Sequence, residues 1–240
     1  MTSYFKASKS RTYGLLFILP LLIVYEACIV IGSYSSLYET RNGAEVFVKN
    51  FLNSIFYSSG QVAYSVLVAV ILLFLVWIDR KSLKNHPLKG SYFFFMLLES
   101  FLFSVVLLLA MAVSKVSLLS IGDSDIFFEE MYLSIGAGIW EEIIFRFFLL
   151  SSILLFTTKI LNFRRSLSIA LSIGASSIIF SYFHHFGSYG EAFNLGTFTV
   201  RSIAGVILGS IYLLRGIGIS VYTHTLYDIM AVLLAFEDHA

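Results

Sequence analysis

The sequence predicts an all-α protein: a polytopic transmembrane helical bundle of about seven spans, with an interfacial helix at residues 43–58. Three observations point there. The chain is 58% hydrophobic and only 13% charged, with a mean hydropathy of +0.86, whereas soluble domains carry about 25% charged residues. Apolar runs of the length that crosses a bilayer recur along its 240 residues. The polar connections between those runs alternate in charge, as they do in membrane proteins with a defined orientation.

The spans fall near 13–33, 61–78, 92–113, 131–156, 166–185, 197–214 and 217–236. The first, beginning at Tyr13, has no small-residue cleavage site after it and reads as a retained span, not a signal peptide. In segment 43–58, Phe47, Phe51 and Ile55 recur with Val48, Leu52 and Phe56, while Glu45, Lys49, Asn50 and Asn53 take the other positions. That amphipathic pattern suits a helix lying in the interface or packed on the protein surface. The N-terminus carries Lys6, Lys9 and Arg11, the second loop Arg80, Lys81, Lys84 and Lys89, and the fourth Lys159, Arg164 and Arg165. The third loop instead carries Asp123, Asp125, Glu129 and Glu130. Basic loops stay inside, so the N-terminus is expected in the cytoplasm and the C-terminus outside, in a multi-pass protein of the cell (cytoplasmic) membrane.

No internal repeat or linker divides the chain, so residues 1–240 are expected to form one transmembrane domain. The net charge of +1 gives no reason to expect nucleic acid as a partner, and the bilayer is the environment the composition requires. The single cysteine, Cys28, excludes an internal disulfide and a cysteine metal cluster.

Chemistry is concentrated in three of the spans. Trp140-Glu141-Glu142-Ile143-Ile144-Phe145-Arg146 places three ionisable groups in an apolar run, each costing roughly 2.5–3.5 kcal/mol at mid-bilayer. On a helix, Glu142 and Arg146 share a face, with the acid N-terminal to the base. Glu141 points about 100° away, so one carboxylate is paired while the other is free to exchange protons with water. The second element is Phe180-Ser181-Tyr182-Phe183-His184-His185, at a span's end. The third is His224-Thr225-Leu226-Tyr227-Asp228, where imidazole and carboxylate lie one turn apart.

A glutamate and two histidines can bind zinc with an open position for water. Alternatively, Glu and one His activate a water while the other His and its partner stabilise an oxyanion. Both routes hydrolyse an acyl bond. Neither Gly-x-Ser-x-Gly nor His-Glu-x-x-His occurs, which disfavours a serine nucleophile and the ordinary metalloprotease arrangement.

These residues resemble the CAAX-protease and bacteriocin-processing (CPBP, or Abi) intramembrane proteases, in a bacterial branch. Glu141, Glu142 and Arg146 match its Glu-Glu-x-x-x-Arg motif, Phe180 and His184 its Phe-x-x-x-His, and His224 and Asp228 its His-x-x-x-Asn/Asp. Gly205 and Gly209 supply a small-x-x-x-small packing stripe between them. The resemblance covers about residues 125–235, and the segments Leu19–Glu26 and Arg41–Glu45 share it.

The resemblance implies an intramembrane endopeptidase acting on a membrane-anchored or membrane-inserted protein or peptide. Glu141 would activate water with help from His184, His224 and Asp228 would stabilise the oxyanion, and Glu142 with Arg146 would hold their helix. No cofactor is expected from it; a divalent metal such as zinc, if used, would sit on Glu141, His184 and His224. Prenyl-protein members carry Asn where this chain has Asp228, and an ionised Asp cannot donate to an oxyanion, so Asp228 would either be protonated or act through His224. Competing readings are a catalytically inactive immunity or scaffold protein of the same fold and a proton-coupled transporter; the latter calls for inverted repeats that the sequence lacks.

Three further expectations concern geometry. Straight, full-length spans put Glu141 about 15 Å below the outer face, His184 near that face and His224 about 10 Å above the inner one. Convergence therefore requires tilt, a shortened fifth span or a half-inserted seventh, and Gly187 and Gly190 favour a break after His184. Glu26 is expected to hydrogen-bond across helices or line a cavity. Arg201 is expected to snorkel to the interface.

Overall fold

A computed structural model of the protein describes residues 2–34, 41–56, 88–112, 124–186 and 190–237. The described residues are helical throughout, apart from short connections. The helices are α1 (Thr2–Ser8), α2 (Arg11–Tyr34), α3 (Gly43–Phe56), α4 (Gly90–Ala112), α5 (Ser124–Glu141), a π-helical segment (Glu142–Leu150), α6 (Ser151–Lys159), α7 (Arg165–Phe183), α8 (Leu195–Arg215) and α9 (Ile217–Glu237). Five of them, α2, α4, α7, α8 and α9, are long and apolar enough to cross a bilayer, so this is a multi-pass membrane protein. The span expected at 61–78 lies outside the described residues. The one expected at 131–156 is a helical run from Ser124 to Lys159 whose middle is π-helix.

Helix α9 is the hub of the bundle and packs against α2, α4, α5 and α8. Every residue from Arg215 to Thr225 is buried, so its polar side chains must find partners inside the bundle. Around it, the outer helices show one inward stripe each. In α4, Met96, Ser100, Ser104, Leu107 and Met111 face inward, while Phe94, Leu98, Leu102, Val106 and Leu109 face outward. In α7 the inward stripe is mostly serine: Ser168, Ser172, Ser176, Ser177 and Ser181, with Phe180. Small residues let membrane helices approach closely where lipid provides no hydrophobic drive. Gly205 accordingly sits on Ser177, and Gly209 on Leu150 and Ile173.

Helix α3 confirms the amphipathic pattern over its described length. Phe47, Phe51 and Ile55 are exposed and Leu52 is buried. Glu45, however, is fully buried instead of taking a wet position: it accepts bonds from Tyr25 (2.7 Å), Arg41 (2.5 Å) and Lys49 (2.5 Å). That cluster ties α3 back onto α2.

One contact sets the position of α5. A Cβ on Gly138 would lie 2.0 Å from the Thr225 Oγ1 and 2.8 Å from the Thr225 backbone N. Only glycine allows α5 to come this near α9, and Glu141 lies one turn further along. Gly138→Ala is expected to lose about 1–3 kcal/mol by overpacking, read as a lower melting temperature in detergent. Gly174→Ala, where a Cβ meets nothing within 4 Å, is expected to be neutral or stabilising by the roughly 0.5–1 kcal/mol helix-propensity gain.

Candidate active site

Two of the three motif helices meet at one carboxylate, and the third reaches it only through the arginine that pairs with it. Glu142 is fully buried. One of its oxygens lies 3.0 Å from the Arg146 guanidinium and 2.9 Å from His224 Nδ1, and the other accepts from the Ser220 hydroxyl at 2.5 Å. Arg146 also lies over the Phe180 ring, 4.3 Å from its centre, a cation–π contact strengthened by burial. The Phe of the second motif is therefore packing for the arginine of the first. The π-helical segment begins at Glu142, and π turns free backbone carbonyls that must find partners. Ser176 donates to the Phe145 carbonyl (2.6 Å) and Ser151 to that of Arg146 (3.3 Å).

Glu141 faces another way, as expected of its neighbouring position. Its Oε2 lies 3.9 Å from the Nε2 atoms of both His184 and His224. Asp228 Oδ2 is 3.4 Å from the same His224 nitrogen. His184 Nδ1 is 3.0 Å from the Phe180 carbonyl, so Nδ1 carries the proton in the neutral ring, and Nε2 presents its lone pair toward Glu141. The backbone N–H of Glu191 donates to the His184 carbonyl at 2.9 Å and holds the residue where α7 ends. The extra histidine, His185, turns away to the rings of Phe193 and Phe198.

Depth is reconciled by an offset between helix ends, since α7 at 19 residues is close to the expected span. α7 stops at Phe183, and His184 meets Glu141, which also touches His224. Asp228 lies about 14 Å short of the end of α9 at the usual rise. α7 therefore ends well inside the level that α9 reaches. Above it opens a cavity of about 360 Å³, lined by Glu141, His184, His224 and Asp228 together with Arg41, Asn42, Glu191 and Arg201.

Two arginines depart from expectation or extend it. Arg201 does not snorkel: it holds Glu191 through two bonds of 2.8 and 2.7 Å at the cavity wall. That hydrogen bonding keeps the Glu191 carboxyl below the usual carboxylate range. Glu26 pairs with Arg41 at 3.3 Å, a cross-element contact of the kind expected. Asn42, which spacing and periodicity do not single out as a site residue, donates its amide to Glu141 Oε1 at 3.3 Å. Helical spacing pairs His224 with Asp228 alone and so misses the bond to Glu142. A signal for the latter exists, because two adjacent acids on one helix and an intramembrane His on another leave few other partners.

Zinc ligands lie about 2.0–2.2 Å from the metal. Among the described residues no three His, Cys, Asp or Glu side chains are placed to share a metal ion. Glu141, His184 and His224 thus do not form a ligand set as arranged.

Residues 124–230 match the family model "Type II CAAX prenyl endopeptidase Rce1-like". The match contains all three motifs and leaves the first 123 residues outside it. The chain matches no curated protein and no solved structure.

Glu142→Gln removes the charge that faces Arg146 and His224 and leaves a buried guanidinium uncompensated. The expected loss is about 3–5 kcal/mol, measured by denaturation in detergent. Adding Arg146→Met to it is expected to recover part of that loss, as non-additivity in a double-mutant cycle.

Proposed function

We propose, from the premise that residues 124–230 carry a domain of the CAAX-protease family of intramembrane endopeptidases, that this protein hydrolyses a peptide bond of a membrane-anchored or membrane-inserted substrate by water activated at Glu141 and His184. The observation that carries the proposal is the pair of 3.9 Å separations between Glu141 Oε2 and the two imidazole Nε2 atoms inside one cavity. Such a gap is too long for a hydrogen bond. It suits one water at about 2.8 Å from each of two groups, with an angle near 90° at its oxygen. Glu141 and the His184 lone pair are both acceptors, so such a water donates both protons and turns its lone pairs outward.

In this mechanism the water oxygen attacks the scissile carbonyl carbon while Glu141 takes one proton. The carbonyl oxygen becomes an oxyanion and accepts a hydrogen bond from His224 Nε2–H, in the ring form that also donates from Nδ1 to Glu142. Asp228 acts through that ring and not on the oxyanion directly, which accommodates Asp where prenyl-protein members have Asn. The tetrahedral intermediate collapses, the C–N bond breaks, and the proton taken from water passes to the leaving nitrogen. The site's residues support this reaction; they do not select a prenyl group.

The same end of the bundle holds the C-terminal ends of α2, α7 and α9, and with a cytoplasmic N-terminus it is the outer one. The substrate bond would then enter from the outer half of the membrane.

Mapping of N-termini among membrane proteins of cells expressing wild type or Glu141→Ala tests the proposal. New termini made by wild type are expected to vanish in the mutant while the protein still accumulates. His184→Ala is expected to slow their formation by about 10²–10⁴-fold. Identical termini from wild type and a well-folded Glu141→Ala protein would refute the protease reading.

A further inference from the structure

The catalytic carboxylate of the proposed reaction has two oxygens, and the histidines face only one. Oε2 looks toward His184 and His224. Oε1 is held from the other side by Asn42, which lies in the connection before α3, far outside residues 124–230.

The bonds around Asn42 settle which way its amide points. Its Oδ1 accepts the Ala44 backbone N–H at 2.9 Å and so caps the N-terminus of α3. With the amide oxygen committed there, the Nδ2 donors are the atoms left for Glu141. The Asn42 backbone N–H donates to the Tyr25 hydroxyl at 3.1 Å, and that hydroxyl donates to buried Glu45 at 2.7 Å. Tyr25 is fully buried and lies against α5 at Gly136, where a Cβ would come within 2.6 Å of its ring. Asn42 is thus fixed through its backbone, its amide oxygen and a tyrosine wedged against the helix that carries Glu141.

Resting on the endopeptidase reading, we propose that Asn42 is a positioning residue for the reaction. Its amide orients Glu141 so that Oε2 faces the water held with His184. The donor comes from the N-terminal segment and not from the matched domain. The same residue couples the docking of amphipathic α3 to the geometry of the base.

Asn42 has two separable jobs, cap and donor, and substitutions divide them. Asn, Asp and Ser are comparable N-caps and Ala is a poor one. Only Asn offers Glu141 an amide donor, and Asp sets a second carboxylate against it. The full chain in lipid nanodiscs would be assayed on a peptide spanning a bond found by terminus mapping, with melting temperature measured in parallel. The expected order of kcat is wild type first, Asn42→Ser and Asn42→Ala together about tenfold lower, and Asn42→Asp lowest, with KM changed less than about twofold. A tenfold drop is the size of one charge-assisted hydrogen bond. Stability is expected to follow a different order, with Asn42→Ser and Asn42→Asp near wild type and Asn42→Ala lowest.

If activity instead follows the stability order, Asn42 is only a helix cap and the proposal is overturned. It is equally overturned if Asn42→Asp and Asn42→Ser cut as fast as wild type. A wild type that produces no new termini overturns the endopeptidase reading itself, an outcome distinct from either.

Discussion

The buried carboxylate of Glu142 is the constraint from which the site's arrangement follows. An ionised group at this depth is tolerated only if its lone pairs are taken up by charge and hydrogen bonds. Arg146, His224 and Ser220 take them up. Those partners come from two helices, so satisfying one acid locks the π-helical segment to α9. It also fixes His224 by its Nδ1, leaving Nε2 as the ring atom available to the cavity. Glu141 is the next residue on the backbone, and once Glu142 is anchored its direction is no longer free. The two glutamates are therefore not redundant: one anchors, and the other is placed by the anchoring.

Close helix contacts make this arrangement reachable. Gly138 against Thr225 and Gly136 against Tyr25 bring α9 and α2 to two faces of α5 within about one and a half turns of Glu141. The serine stripe of α7 then presents small hydroxyl side chains to its neighbours, and Ser176 and Ser181 use theirs on carbonyls of the π-helical segment and α8. In lipid, such backbone groups have no water to turn to. In the irregular helix, the Phe145 and Arg146 carbonyls each accept a serine hydroxyl.

Much of this was legible in the residues. The helical period separated Glu142 from Glu141, and the spacing of His224 and Asp228 placed them on one face. Depth was less legible, because it depends on where α7 stops relative to α9. Loop glycines hint at a break but do not say how far inside the bundle it falls. The π-helical turns were invisible for a similar reason: nothing local in Glu142–Leu150 distinguishes them from α-helix, and they depend on hydroxyls from elsewhere. Arg201 was misplaced because its partner, Glu191, reads as an ordinary loop acid. Asn42 left no periodic trace; it was marked only by lying in Arg41–Glu45, which shares the family resemblance, and its contact with Glu141 is created by the fold of α2 and α3 around it.

A site of this kind needs more than its motifs. The three motifs supply an acid, two imidazoles and their anchors, but each imidazole and carboxylate needs a fixed orientation to act on one water. His184 receives its orientation from the Phe180 carbonyl, and His224 from Glu142, both within the matched segment. Glu141 is the exception: among the described residues, the donor to its Oε1 is Asn42, which lies outside that segment. The missing contact arrives from the start of α3, a helix whose exposed Phe47, Phe51 and Ile55 suit a lipid interface. If Glu141 is the base proposed, its geometry depends on how α3 is seated. On the proposed reaction, the described residues around Asn42 then take part in setting the geometry at Glu141, although they lie outside the matched segment.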